Sequence, residues 1–120
     1  MKKAEYTQQP AKLQAVGNGS HLYRWGIEQV TKPAMEGETP TISWQCFEVV
    51  VWGNPTADKV TEAVITALWS SNIEAKLIND YNAAKEGLLT QEYEQAYIDF
   101  LNQRKAVKNE IRLFFDNESI

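Results

Sequence analysis

Hydrophobic and polar positions change their period once along this chain of 120 residues. Before about residue 53 the apolar positions alternate, as on half-buried strands; beyond it they recur every third or fourth residue, as on helices. Residues 12–16 alternate, with Leu13 and Ala15 on one face. Gly17-Asn18-Gly19-Ser20 follows, and an Asn-Gly pair suits the positive φ values of a tight hairpin turn. The return strand is expected from about Ser20 to Val30, with Tyr23, Trp25 and Ile27 on one face and Arg24, Gly26 and Glu28 on the other. A third strand is expected over Ile42 to Trp52. Its one parity carries Ile42, Trp44, Cys46, Val50 and Trp52, interrupted by Glu48; the other carries Phe47, Val49 and Val51 after the polar Ser43 and Gln45. A strand that becomes apolar on both faces calls for cover on both sides near its end, from the helical half on one side and a partner subunit on the other. The polar residues 1–11 read as a flexible arm, and Thr31 to Thr41, with Pro33, Gly37 and Pro40, as a long exposed loop.

The switch to helix falls at Gly53-Asn54-Pro55-Thr56. Asn54 as cap with Pro55 at the first helical position is one register, and Thr56 as cap is the other. Val60, Ala63, Val64, Ala67 and Leu68 then line a helical stripe. Ser71-Asn72-Ile73-Glu74 matches a capping box, so a second helix is expected to start there, with Gly87 placed to end it. Thr90 is expected to cap the third. In that helix Tyr93, Tyr97, Phe100, Arg104, Val107, Ile111 and Phe114 are spaced alternately four and three apart, the seam of a heptad repeat. Such a seam packs either on the chain's own elements or on a second chain. The chain is thus expected to be a single α+β domain over residues 1–120. It has an antiparallel hairpin or meander of about three strands over 12–52. Three helices fill 54–115, the last long and amphipathic, and 116–120 form a tail.

Charge adds an asymmetry to this division. The formal net charge is −4, and all of the excess lies in the second half. Residues 1–56 balance five Lys/Arg against five Glu, whereas residues 57–120 set seven Lys/Arg against eleven Asp/Glu. No cluster of cations offers itself to a phosphate backbone, so nucleic acid is not an expected partner. The first residues carry positive charge without an apolar run behind it. No stretch reaches the roughly 20 apolar residues that span a bilayer. A virion or the host cytoplasm is the expected location, with no membrane association.

Little in the sequence suggests catalysis. The glycines have neither the spacing nor the following Lys-Ser/Thr of a phosphate-binding loop. His21 is the only histidine, which removes most nucleophile–base pairs and histidine-based metal sites. Asp80, Glu86, Glu92 and Glu94 gather around one turn, where helix dipoles alone account for carboxylates. Cys46, the only cysteine, sits in an apolar strand and reads as a small buried hydrophobe. No catalytic residue, cofactor, metal or small-molecule substrate is therefore expected. Tyr23, Trp25, Trp44 and Trp52 all fall on strands, where they serve as core, as anchors for a protein partner, or as stacking platforms for sugars.

From Trp44 onward the order of elements carries a resemblance. Val49-Val50-Val51-Trp52 leads to Asn54-Pro55-Thr56-Ala57-Asp58-Lys59-Val60, and later come Ile78-Asn79-Asp80-Tyr81-Asn82-Ala83 and the run from Tyr97 to Lys108. This region resembles small proteins encoded among the tail genes of bacteriophages and prophages. The resemblance implies a non-enzymatic virion component or assembly factor that binds copies of itself or neighbouring tail proteins. Trp44, Trp52, Tyr93, Tyr97, Phe100, Arg104, Val107, Ile111 and Phe114 are the candidate interface residues. Two alternatives stand beside this reading: a small acidic inhibitor of a host protein, and an aromatic-faced carbohydrate-binding module.

Overall fold

The computed structural model describes residues 2–118, which fall into two compact units, a sheet unit up to Pro55 and a helical unit from Thr56. The sheet unit has strands β1 (Ala4–Tyr6), β2 (Leu13–Ala15), β3 (Ser20–Lys32) and β4 (Thr41–Trp52). They are antiparallel in the order β1-β4-β3-β2. The α+β expectation holds, with four strands in place of about three. The additional strand lies in what the sequence presented as a flexible arm: Ala4 pairs with Cys46 and Tyr6 with Trp44. Three hairpin-connected strands with the remaining one returned beside the far strand make a Greek key. Residues 7–12 link the two edge strands, and Ala11 reaches Arg24 on β3.

Two local features differ from the period-two reading. Asn18 does not take a positive φ; its side-chain oxygen instead accepts from the Ser20 N–H at 3.1 Å and the Ser20 hydroxyl at 2.5 Å. More important, the β3–β4 register shifts between Trp25 and Glu28. Trp25 pairs with Phe47 and Glu28 with Gln45, so Gly26 and Ile27 together oppose Cys46. This is a β-bulge, and Gly26 supplies its left-handed residue at φ 62°. Alternation inverts across it. Glu28 and Val30 now share the face of Tyr23 and Trp25, and Ile27 joins the face of Arg24.

The helical unit holds α1 (Ala57–Leu68), α2 (Ser71–Lys85) and α3 (Glu92–Glu118). Thr56 is the cap of α1, its hydroxyl accepting from the Lys59 N–H at 3.2 Å, so the Asn54 register is not the one taken and the helix begins at residue 57. Ser70 rather than Ser71 caps α2, accepting from the Ile73 N–H at 3.3 Å. The end of α2 is as expected. Gly87, at φ 79°, donates to the Ala84 carbonyl and Leu88 to the Ala83 carbonyl, the paired bonds of a Schellman motif. Thr90 contributes its carbonyl, which accepts from the Tyr93 N–H, and α3 begins two residues later. That helix runs beyond residue 115 into the segment expected as a tail, whose last two residues lie outside those described.

Side-chain contacts fix the helix directions. Tyr81 meets Tyr97 at 4.9 Å between ring centroids and Lys85 pairs with Glu94 at 3.0 Å, so α2 is antiparallel to α3. Trp69, just past α1, meets Phe100 edge-on at 5.1 Å. Residues 58–66 of α1 lie beside Leu101 to Lys108 of α3, so α1 and α2 run the same way, two segments of one broken arm laid antiparallel along α3. At about 1.5 Å per residue α3 is about 40 Å long. Val60, Val64, Phe100 and Ile111 are the buried apolar side chains of this unit among the described residues.

Candidate interaction surfaces

The sheet places its polar interruptions together. Arg24 on β3 pairs with Glu48 on β4, and Tyr6 on β1 reaches the same carboxylate. The Arg24 Nε–H donates to Glu48 Oε2 at 3.1 Å, its Nη1–H to the Ala11 carbonyl at 2.8 Å, and its Nη2–H to the Tyr6 hydroxyl at 3.1 Å. The Tyr6 hydroxyl donates to Glu48 Oε2 at 2.5 Å. The guanidinium carbon also lies 4.7 Å from the Tyr6 ring centroid, within reach of a cation–π attraction. With Arg24 only 2% exposed, every one of these partners answers a buried charge. Burial, followed by the bond to Glu48, raises the Tyr6 phenol above its ordinary value. Burial alone would lower the Arg24 guanidinium, but its bonds to Tyr6 and Glu48 outweigh that and leave it raised. The group is a latch that ties β1 and the link after it to the central hairpin.

Cys46 lies beside this latch, fully buried. Burial, followed by the Glu48 charge, pushes its thiol up, which suppresses the nucleophilic thiolate. No group of three or more His, Cys, Asp or Glu side chains suited to a metal ion occurs among the described residues.

The strand aromatics separate onto two faces. Tyr23, Trp25 and Phe47 form a stack on one, with centroid separations of 6.2 and 5.7 Å. Trp44 and Trp52 belong to the other. The four residues that suggested a stacking platform are thus not on a common surface. Trp52 is 63% exposed and Val50 and Ile42 are each 51% exposed, while Trp44 is half-buried. The β1 strand covers β4 only from Trp44 to Cys46. From Phe47 to Trp52 the outer edge of β4 has no strand partner among the described residues. Arg24 donates its backbone N–H towards β2, to Lys12, so its pair-mate Glu48 directs its own backbone groups to that open edge, as do Val50 and Trp52.

The heptad seam of α3 is largely occupied inside the chain. Phe100 and Ile111 are buried, and Tyr97 lies between Tyr81 and Phe100. Val107 and Phe114 are half-buried, and Tyr93 is exposed at the start of the helix. Arg104 is exposed and faces Glu74 of α2 at 3.8 Å. Comparison of the chain with protein-family models, curated proteins and solved structures finds no match.

A second surface was not signalled by the seam. Beside it, α1 and α3 border an open groove of about 540 Å³ with Ile65 and Leu101 among its lining residues. Asp58 and Glu62 stand on the α1 bank, and Arg104, Lys105 and Lys108 on the α3 bank. The spacing Asp58, Thr61, Glu62, Ile65 is itself the helical i, i+3, i+4, i+7 pattern, as is Leu101, Arg104, Lys105, Lys108, so both banks were readable as polar faces but not as neighbours.

Proposed function

We propose that this protein is a non-enzymatic binding protein that works by contact with other proteins, and that assembly of a bacteriophage tail region is its setting. The observation that carries the binding reading is the end of β4. An apolar run, Val49-Val50-Val51-Trp52, has no strand on its outer backbone edge among the described residues, while Val50 and Trp52 stand exposed beside it. Exposed strand edges of this composition invite another strand, and proteins ordinarily cover or charge them. Here only Glu48 is charged, and Arg24 already holds it. An extended segment of a partner added along this edge gains main-chain hydrogen bonds, with Trp52 as its aromatic anchor. The tail setting is supported by the resemblance of residues 44–120 set out above.

The test is site-specific photo-crosslinking in cells that naturally make the protein, with the reactive residue placed at Trp52 and, as control, at Met35, which is more open to solvent still. A discrete protein adduct from position 52, absent from position 35, is the expected result. No adduct at 52, or the same adducts at both positions, overturns the binding reading. An adduct at 52 with a protein foreign to any phage particle overturns the tail setting alone.

A further inference from the structure

The groove between α1 and α3 has opposite charges on its two banks, and among the described residues most of those charges are not paired within the chain. Asp58 and Glu62 make no ion pair with any described residue, and neither do Lys105 and Lys108; only Arg104 reaches a carboxylate, that of Glu74. Opposite charges that face across a groove without closing it leave room for something between them. Whatever binds must bring cations to the α1 bank and anions to the α3 bank, over an apolar floor that includes Leu101, itself 40% exposed. A ligand or surface of single sign meets repulsion from one bank.

From this we infer that the groove is the self-association face of the protein, and that its occupant is the same groove of a second copy. The geometry of a two-fold axis decides the match. An axis across the groove would set α1 on α1 and acid on acid. An axis along it sets α1 of each copy on α3 of the other, so each acidic bank meets a basic bank and each contact occurs twice. That operation also preserves level along the groove. Trp69, just past α1, meets Phe100, and α1 back to Asp58 lines the groove with Leu101 to Lys108, so α1 and α3 are antiparallel, and at about 1.5 Å per residue Glu62 stands level with the turn ending in Lys108. Glu62 of one copy therefore meets the Arg104–Lys108 turn of the other, with Asp58 one turn further along. Leu101 and Ile65 of the two copies close the centre. This surface is separate from the β4 edge, so the inference does not rest on the function proposed above.

The test is charge exchange. Asp58→Lys with Glu62→Lys makes both banks basic; Lys105→Glu with Lys108→Glu makes both acidic. Analytical ultracentrifugation over a wide concentration range is expected to show a dimer for the natural chain, with its Kd weakened at least tenfold on raising salt from low to high. Each double variant alone is expected to be monomeric at concentrations where the natural chain is dimeric. An equal mixture of the two is expected to restore a dimer containing one copy of each. Helical circular dichroism confirms folding, and should a lysine variant fail to fold, Glu62→Gln and Lys108→Gln give the milder form of the test, each weakening the dimer. A natural chain that stays monomeric overturns the inference. So do folded double variants that remain dimeric alone, or that fail to combine when mixed. Crosslinking at Trp52 is unaffected by any of these outcomes, which keeps the two readings separable.

Discussion

The largest fully buried side chain of the sheet unit is Arg24, and that of the helical unit is Ile111. The sheet unit brings a charge out of water and answers it with three partners from three separate stretches of chain: Glu48, Tyr6 and Ala11. The helical unit relies on apolar side chains, on hydroxyl caps at Thr56 and Ser70, and on the glycine stop at Gly87. Apolar packing tolerates adjustment, because dispersion contacts have no preferred direction. A buried cation tolerates none, since any partner lost leaves desolvation unanswered. The difference teaches where each unit is brittle: the first at a few polar atoms, the second at a few large volumes.

The largest effect expected on this comparison comes from Phe100→Ala, which removes the ring between Trp69 and Tyr97 and should cost about 4 kcal/mol. Chemical denaturation followed at 222 nm measures it, and a loss under about 1 kcal/mol would show that the helical unit does not depend on this packing. Next is Arg24→Ala, which takes one N–H donor each from the Glu48 carboxylate, the Tyr6 hydroxyl and the Ala11 carbonyl; about 3 kcal/mol is expected. Hydrogen exchange should rise first at residues 4–6 and at the Trp44–Cys46 amides that pair with them. Unchanged protection there would sink the latch as the fastening of β1. The smallest pair sharpens the contrast between the units. Gly26→Ala combines a left-handed backbone with a Cβ only 3.3 Å from the Phe47 ring, whereas Gly87→Ala has the same backbone strain and open space. We expect about 2 kcal/mol for the first and about 1 kcal/mol for the second from thermal melts, with the order as the decisive result.

What could be read beforehand follows the same division. Helical segments declare themselves over many residues, so α1, α2 and α3 were all legible, and only their caps and the end of α3 moved. Ser70 and Ser71 are adjacent hydroxyls, and a box with Glu74 favours the wrong one. The sheet was harder for reasons of length and distance. Ala-Glu-Tyr has no period to detect, and β1 exists because Tyr6 finds Arg24 and Glu48 far along the chain. Arg24 and Glu48 were visible separately, Arg24 on the polar face of one strand and Glu48 as an interruption in the other; their pairing needed the register. Gly26 did offer a signal, since a glycine inside a strand pattern marks a bulge, and the inverted alternation after it follows. The seam of α3 was legible as a stripe, but a stripe does not say what it meets. The groove beside it combines residues about 40 positions apart, and no local pattern joins them.

The Greek-key link has a consequence for the order in which the protein is made. Of the four strands of the sheet β1 leaves the ribosome first, yet the strand it pairs with begins at Thr41, and Ala4 waits for Cys46. At synthesis rates of about 5–20 residues per second that is a delay of roughly 2–8 seconds. Through that interval β2 and β3 can already form their hairpin, while Tyr6 can meet Arg24 but not the carboxylate they share. Residues 4–6 are thus made before the rest of the sheet and join it last, and the latch closes only after the whole hairpin has emerged.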